Sequence, residues 1–108
     1  MTLPVVRLSR GLFESSLFAE VERRLAAAEI SLVPAIRELK GCLHFWAAID
    51  ERSNSMVNLS VWATVEDAMQ MDTLPSMLAL GKEFAAIGVK FERPIINYKV
   101  LWAIEPGA

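Results

Sequence analysis

The chain has 108 residues, 54% of them hydrophobic and 22% charged, with a formal net charge of −2. That length is one domain, 1–108, and that apolar content excludes a disordered segment. The near-balanced charge, without a run of one sign, excludes a binder of phosphate backbone, so no nucleic-acid partner is expected.

Taken in chain order, the opening segment around Leu3 lacks the long apolar stretch of a signal peptide. Leu3 to Ser9 is β-branched and apolar, bounded by Gly11, and predicts a first strand. Ser15 and Ser16 can cap a helix, and Phe18, Val21 and Leu25 then recur at helical spacing to about Ala28. Ser31 to Leu39 predicts a second helical piece with Pro34 in its first turn, ended by Lys40-Gly41. Cys42 to Ile49 and Met56 to Ala63 predict two strands joined by the polar hairpin Asp50–Ser55. Thr64 with Asp67 three residues later marks a capped short helix. Pro75 near the start and Gly88 at the end bound another helix. Ile95 to Ile104 predicts a fourth strand, followed by a frayed Glu105–Ala108 tail. No apolar run reaches membrane-spanning length, so no membrane partner is expected. The lone thiol of Cys42 forms no intrachain disulfide and fits a reducing cytoplasm.

The order βαββαβ predicts an α+β, ferredoxin-like fold: a four-stranded antiparallel sheet with both helical regions on one face. Alternation splits each strand into two sets. Leu43, Phe45, Ala47 and Ile49, then Val57, Leu59 and Val61, then Ile96, Tyr98, Val100, Trp102 and Ile104 are expected beneath the helices. The opposite sets, with His44, Trp46, Asn58, Ser60, Trp62, Asn97 and Arg7, are expected on the bare face. Two tryptophans on a bare face call for cover, and a second copy packed across a two-fold axis supplies it. A homodimer through the face bearing Trp46 and Trp62 is expected.

Gly41, the alternating strand to Asp50, the polar loop, and Leu59-Ser60-Val61-Trp62 followed by Thr64-Val65-Glu66-Asp67-Ala68 resemble the antibiotic-biosynthesis-monooxygenase-like group of the dimeric α+β barrel superfamily. The final Ile-Ile-Asn-Tyr-Lys-Val-Leu-Trp stretch resembles it too. The resemblance covers nearly the whole chain and implies sheets packed face to face in a dimeric barrel. It implies ligand entry between helices and sheet, into a space walled by Phe18, Phe45, Leu59, Tyr98, Met69, Met77 and Leu78. That superfamily holds cofactor-free monooxygenases of quinols and polyketide anthrones, haem-degrading oxygenases, other enzymes and members without known activity. The haem-degrading pattern is absent: strand one has no Asn, the position nine residues after Trp62 is Met71, and the expected His falls near Gly81.

The residues leave several chemistries open. His44, the one side chain with a near-neutral reference pKa, can be a general base toward a quinol proton or a hydrogen-bonded interface histidine. Asn58 and Asn97 can hold an oxygen of a ligand or intermediate, or satisfy polar groups between layers. Phe45, Trp46, Tyr98, Met69 and Met77 can contact an aromatic substrate, or simply pack. Cys42 and His44, two apart on one strand, share a face, which allows a thiolate–imidazolium pair, or Cys42 simply packs as a small buried residue. Two such ligands are too few for a metal, and no cofactor is expected. The expected function is a cofactor-independent monooxygenase of a small aromatic or quinol. A non-catalytic homodimer binding an apolar ligand, or a related mutase or isomerase, are the alternatives.

Overall fold

The computed structural model of the protein describes residues 3–105. Among these residues one antiparallel sheet is built from β1 (Val5–Leu12), β2 (Cys42–Asp50), β3 (Ser55–Trp62), β4 (Lys90–Phe91) and β5 (Ile96–Lys99). The strand order is β2-β3-β1-β4, with β5 also on β1. Helices α1 (Phe18–Ala27), α2 (Glu29–Arg37), α3 (Val65–Met69) and α4 (Pro75–Ile87) pack on one side. The fold is the expected ferredoxin-like α+β arrangement, with the last strand divided in two.

Local chemistry sets the element ends. Thr64 caps α3 by accepting from the backbone N–H of Asp67 at 3.0 Å. Pro75 opens α4, where its missing N–H costs nothing, and Gly88 closes it at φ +114°. Pro34 lies deeper inside α2 than expected, because the helix begins at Glu29 instead of Ser31. The carbonyl it leaves without an intrahelical donor is that of Ile30, which is exposed and can be hydrated. In the β2–β3 hairpin, Ser53 donates to the Asp50 carboxylate from both its N–H (2.8 Å) and its hydroxyl (2.7 Å). These bonds, the side-chain one first, hold the Asp50 carboxyl below its ordinary range.

The expected strand Ile95–Ile104 is not continuous. Phe91 and Lys90 pair with Gly11 and Leu12, whereas Ile96–Lys99 pair with Leu8–Val5. Between them, Glu92 donates its N–H to the Arg10 carbonyl and its carboxylate pairs with the Arg10 guanidinium. Pairing ends at Lys99 because it sits opposite Val5, the first residue of β1, and Pro4 beyond has no N–H to offer. Val100–Glu105 therefore leave the sheet, with Leu101, Trp102 and Ile104 exposed at 75%, 78% and 85%.

The register corrects the expected faces. Trp62 is completely buried beneath α2 and α3, with Ala28, Leu32, Ile36 and Ala68 around it. Its phase carries Ser60, Asn58 and Met56 to the helix side, and their partners Val5, Arg7, Ser9 and Gly11 of β1 go with them. Asn97 and Lys99, opposite Arg7 and Val5, share that side. Val57, Leu59 and Val61, and Ile96 and Tyr98, lie on the bare face instead of in the core. In β2 the phase of Phe45, Ala47 and Ile49 is as expected, opposite Ser60, Asn58 and Met56. Leu43 is not, because a bulge between Cys42 and His44 takes up one residue. So Trp62 and Asn58 are not on the uncovered face, and Trp46 is.

Two apolar clusters fill the helix side. One joins Phe13, Val21, Leu25, Met56, Phe84 and Val89; the other joins Ala28, Leu32, Ile36, Trp62, Ala68 and Met71. Trp62 anchors the second and gives its indole N–H to the Ser60 hydroxyl at 2.8 Å. Replacing it, Trp62→Ala, leaves a large void and is expected to lower stability by about 3–5 kcal/mol. A loss of unfolding free energy under about 1 kcal/mol in urea denaturation would contradict its anchoring role.

Candidate functional site

The two clusters sit at opposite ends of the sheet, on the rows Gly11–Met56–Ile49 and Val5–Trp62–Cys42. The two rows between them are partly polar: Ser9 opposite Asn58, and Arg7 opposite Ser60. Polar side chains cannot fill space against an apolar helix without losing hydration, so the middle of the sheet stays unpacked. The result is a cavity of about 480 Å³. Arg7, Ser9, Asn58, Ser60, Met56 and Phe45 form its floor. Met71 and Asp72, from the turn before α4, and Met77, Leu78, Leu80, Gly81 and Phe84 form its roof. Phe91, Arg93 and Ile95 close one end. Gly81 widens the roof, since a Cβ there would meet nothing within 4 Å.

Arg7 dominates the polar floor. It is buried, at 5% exposure, in the middle of an apolar strand. Its Nη2 donates to Asp72 Oδ1 at 2.6 Å and its Nη1 to Asn97 Oδ1 at 3.2 Å. A buried guanidinium without a counter-ion would be costly, and Asp72 supplies one from the helical layer. The pair thus links the sheet to the turn leading into α4. One row away, the Asn58 Oδ1 is buried on the cavity wall without a hydrogen-bond partner among the described residues.

Of the side chains singled out in the sequence, Asn58, Phe45 and Met77 meet in this cavity, and Leu78 with them. Asn97 stands behind Arg7 as its acceptor. Tyr98, Leu59, Phe18 and Met69, expected in the walls, are not there. Tyr98 and Leu59 are on the bare face, Phe18 packs in the first apolar cluster, and Met69 is exposed on α3. His44 and Trp46 are also on the bare face, with their rings stacked at 5.3 Å and an interplanar angle of 12°. His44 therefore does not line the cavity of its own chain. Ser9, Asp72, Gly81 and Arg93 were not singled out. The usable signal was Arg7 itself: a lone arginine between Val6 and Leu8 demands an acidic partner from another element.

The Cys42–His44 pair is undone by the bulge. Cys42 faces the helices opposite Trp62, while His44 is opposite Val61 on the other side. Burial pushes the Cys42 thiol above its ordinary pKa, so it is protonated at neutral pH. Alkylation by iodoacetamide at pH 8 is expected to be several-fold slower for the native protein than for the urea-unfolded chain. An equal or faster native rate would mean an activated thiolate and would overturn this placement. Among the described residues no three His, Cys, Asp or Glu side chains gather as a metal-ligand set, and no helix is long and apolar enough to cross a membrane.

No family model matches the sequence, and no curated protein matches it. Solved structures do match its fold. A protein from Deinococcus radiodurans, provisionally named an antibiotic biosynthesis monooxygenase, superposes with a TM-score of 0.71 at 16% identity, covering 96% of this chain and 99% of that one. A protein of the same provisional name from Nitrosomonas europaea gives 0.68 at 14% identity over 94% of both chains. SnoaB, a cofactor-independent oxygenase from Streptomyces nogalater, gives 0.63 at 17% identity over 95% of this chain and 98% of its own. With its sheet order, its helix-covered cavity and these superpositions over nearly the full chain, this protein has the antibiotic-biosynthesis-monooxygenase fold.

Proposed function

We propose that the protein is a cofactor-independent monooxygenase acting on a small aromatic or quinol substrate held between the helices and the sheet. The observation that carries this reading is the cavity of about 480 Å³ with an apolar, methionine-rich roof over a floor that offers Arg7 and Asn58. Its size and lining suit an aromatic ring system with one or two oxygens. The likeness in fold to SnoaB supports it.

The chemistry asked of the protein is modest. An electron-rich substrate supplies both electrons. A ring CH₂ conjugated with a carbonyl gives one proton to solvent to form an enolate, and dioxygen bonds to that carbon and takes a proton back as a hydroperoxide. The O–O bond breaks as the second C–H hydrogen leaves with hydroxide as water, so one oxygen atom stays as a carbonyl. The chain binds and orients the substrate, excludes bulk water and stabilises the developing oxyanion. In this reading Asn58 donates from its amide N–H to a substrate or peroxide oxygen, and its unpartnered Oδ1 accepts from a substrate hydroxyl. Asn97 acts through Arg7, which makes it a positioning residue. His44 serves as a base only if a partner or a rearranged strand brings the cavity to it.

The same reading includes a homodimer formed on the bare face. Trp46, Leu59, Leu8 and Ile96 make one continuous row there, and Val61, Val6 and Tyr98 make the next. Trp46 is 50% exposed in the single chain. An aromatic side chain buries about 150–250 Å², and a patch of this extent is rarely left wet. The exposed Leu101, Trp102 and Ile104 beyond β5 need cover as well, and a second copy provides apolar surface for both. The lone thiol fits a cytoplasmic protein.

Two measurements test these statements. Sedimentation velocity at micromolar concentration is expected to give a dimer for the native chain and a folded monomer for Trp46→Glu; a well-folded native monomer would sink the face-to-face arrangement. Oxygen uptake with anthrone and naphthohydroquinone, in the presence of EDTA and without flavin, is expected to exceed the uncatalysed rate. Gly81→Leu, which fills the cavity without meeting another side chain at its Cβ, should abolish that excess while leaving the fold intact. Binding of these compounds without any catalysed uptake would favour a non-catalytic binding dimer.

A further inference from the structure

Resting on the reading of the cavity as the ligand site, we infer that its ligand is an aromatic molecule in anionic form, whose ionised oxygen is bound by Arg7. The charges around the cavity are unequal. Arg7, Lys82 and Arg93 line it, and Asp72 is the one acid among the lining residues. Lys82 and Arg93 are exposed, so they set the sign of the field at the entrance. Arg93 also lies over the Phe91 ring, 5.0 Å from its centroid, which keeps that cation beside the apolar end.

Arg7 is the deeper, stronger group. A guanidinium has five N–H donors, and two hydrogen bonds from it are seen, one to Asp72 and one to Asn97. Asp72 engages through a single oxygen and its side chain is half-exposed, so it balances the cation from one side only. Arg7 lines the cavity together with Ser60, its partner across the strands. An oxyanion arriving there makes charge-assisted hydrogen bonds in a site screened from water, where they are strong. A neutral carbonyl accepts from the same donors without the charge assistance and binds more weakly. Phe45 and Met56 of the floor and the thioethers of Met71 and Met77 in the roof suit the two faces of a flat ring, while its charge meets Arg7 on the floor.

An ionised oxygen on an aromatic ring can be a carboxylate or a phenolate, and calorimetric titration separates them. The probes are 2-naphthoate, the isosteric neutral 2-naphthamide, and 2-naphthol measured below and above its own ionisation. Naphthoate is expected to bind the native protein at least about tenfold more tightly than naphthamide. Arg7→Gln should erase most of that difference by weakening naphthoate far more than naphthamide. Asp72→Asn, which releases Arg7 from its internal partner, should strengthen naphthoate binding alone. A gain for naphthol on ionisation assigns the phenolate; a gain confined to naphthoate assigns the carboxylate. Equal binding of naphthoate and naphthamide by the native protein, or an equal loss of both in Arg7→Gln, overturns the anion site while leaving a neutral ligand pocket standing. Failure of every probe to bind overturns the pocket reading with it. Should Arg7→Gln not fold, the native comparison and Asp72→Asn decide between these outcomes.

Discussion

The complete burial of Trp62 beneath α2 and α3 is the constraint on which the rest of the structure depends. A strand has two faces and a strict period of two, so placing one large side chain settles the side of every other residue in that strand. With Trp62 toward the helices, Ser60, Asn58 and Met56 must follow it. The pairing of β1 with β3 then brings Arg7 and Ser9 to the same side, and the pairing of β5 with β1 brings Asn97. Had β3 been turned over, the helices would have covered Val57, Leu59 and Val61, and the polar row would have been solvated.

That phase produces a core with a defect in its middle. Apolar rows at each end of the sheet meet the helices and pack; the rows of Arg7 and Ser9 do not. Close packing is the norm in protein interiors, and a space of this size is unusual unless something occupies it. The Arg7–Asp72 pair ties the floor to the turn before α4, because a buried guanidinium must stay bonded to its counter-ion. Met71 and Met77 above it adapt in shape without adding polar groups. The cavity thus lies where the fold gives up packing.

The same alternation that sends the polar rows inward sends apolar rows outward. Leu8, Leu59, Trp46, Ile96 and their neighbours form the uncovered face, and the segment after Lys99 adds exposed apolar side chains where β1 runs out of partner backbone. Arginine inside and tryptophan outside are consequences of one choice of phase.

The sequence by itself determined the helical regions, the first three strands and the order of the elements, but ran the last strand on to Ile104 where pairing ends at Lys99. Thr64, Pro75, Gly88 and the Asp50–Ser55 turn act through local hydrogen bonds and backbone preferences, which need no knowledge of distant residues. It also grouped Arg7, Asn58, Ser60, Trp62, Asn97 and Lys99 on one side, since alternation is local too. Only the tertiary structure decided which side the helices cover. Both faces carry enough apolar surface to be buried, one under helices and the other awaiting cover, so hydropathy could not rank them. The bulge between Cys42 and His44 was equally hidden, because one residue absorbed by backbone geometry leaves no mark in composition. Asp72 and Gly81 entered the site through the packing of α4 on the sheet, a contact across more than half the chain from Arg7 that no local pattern encodes.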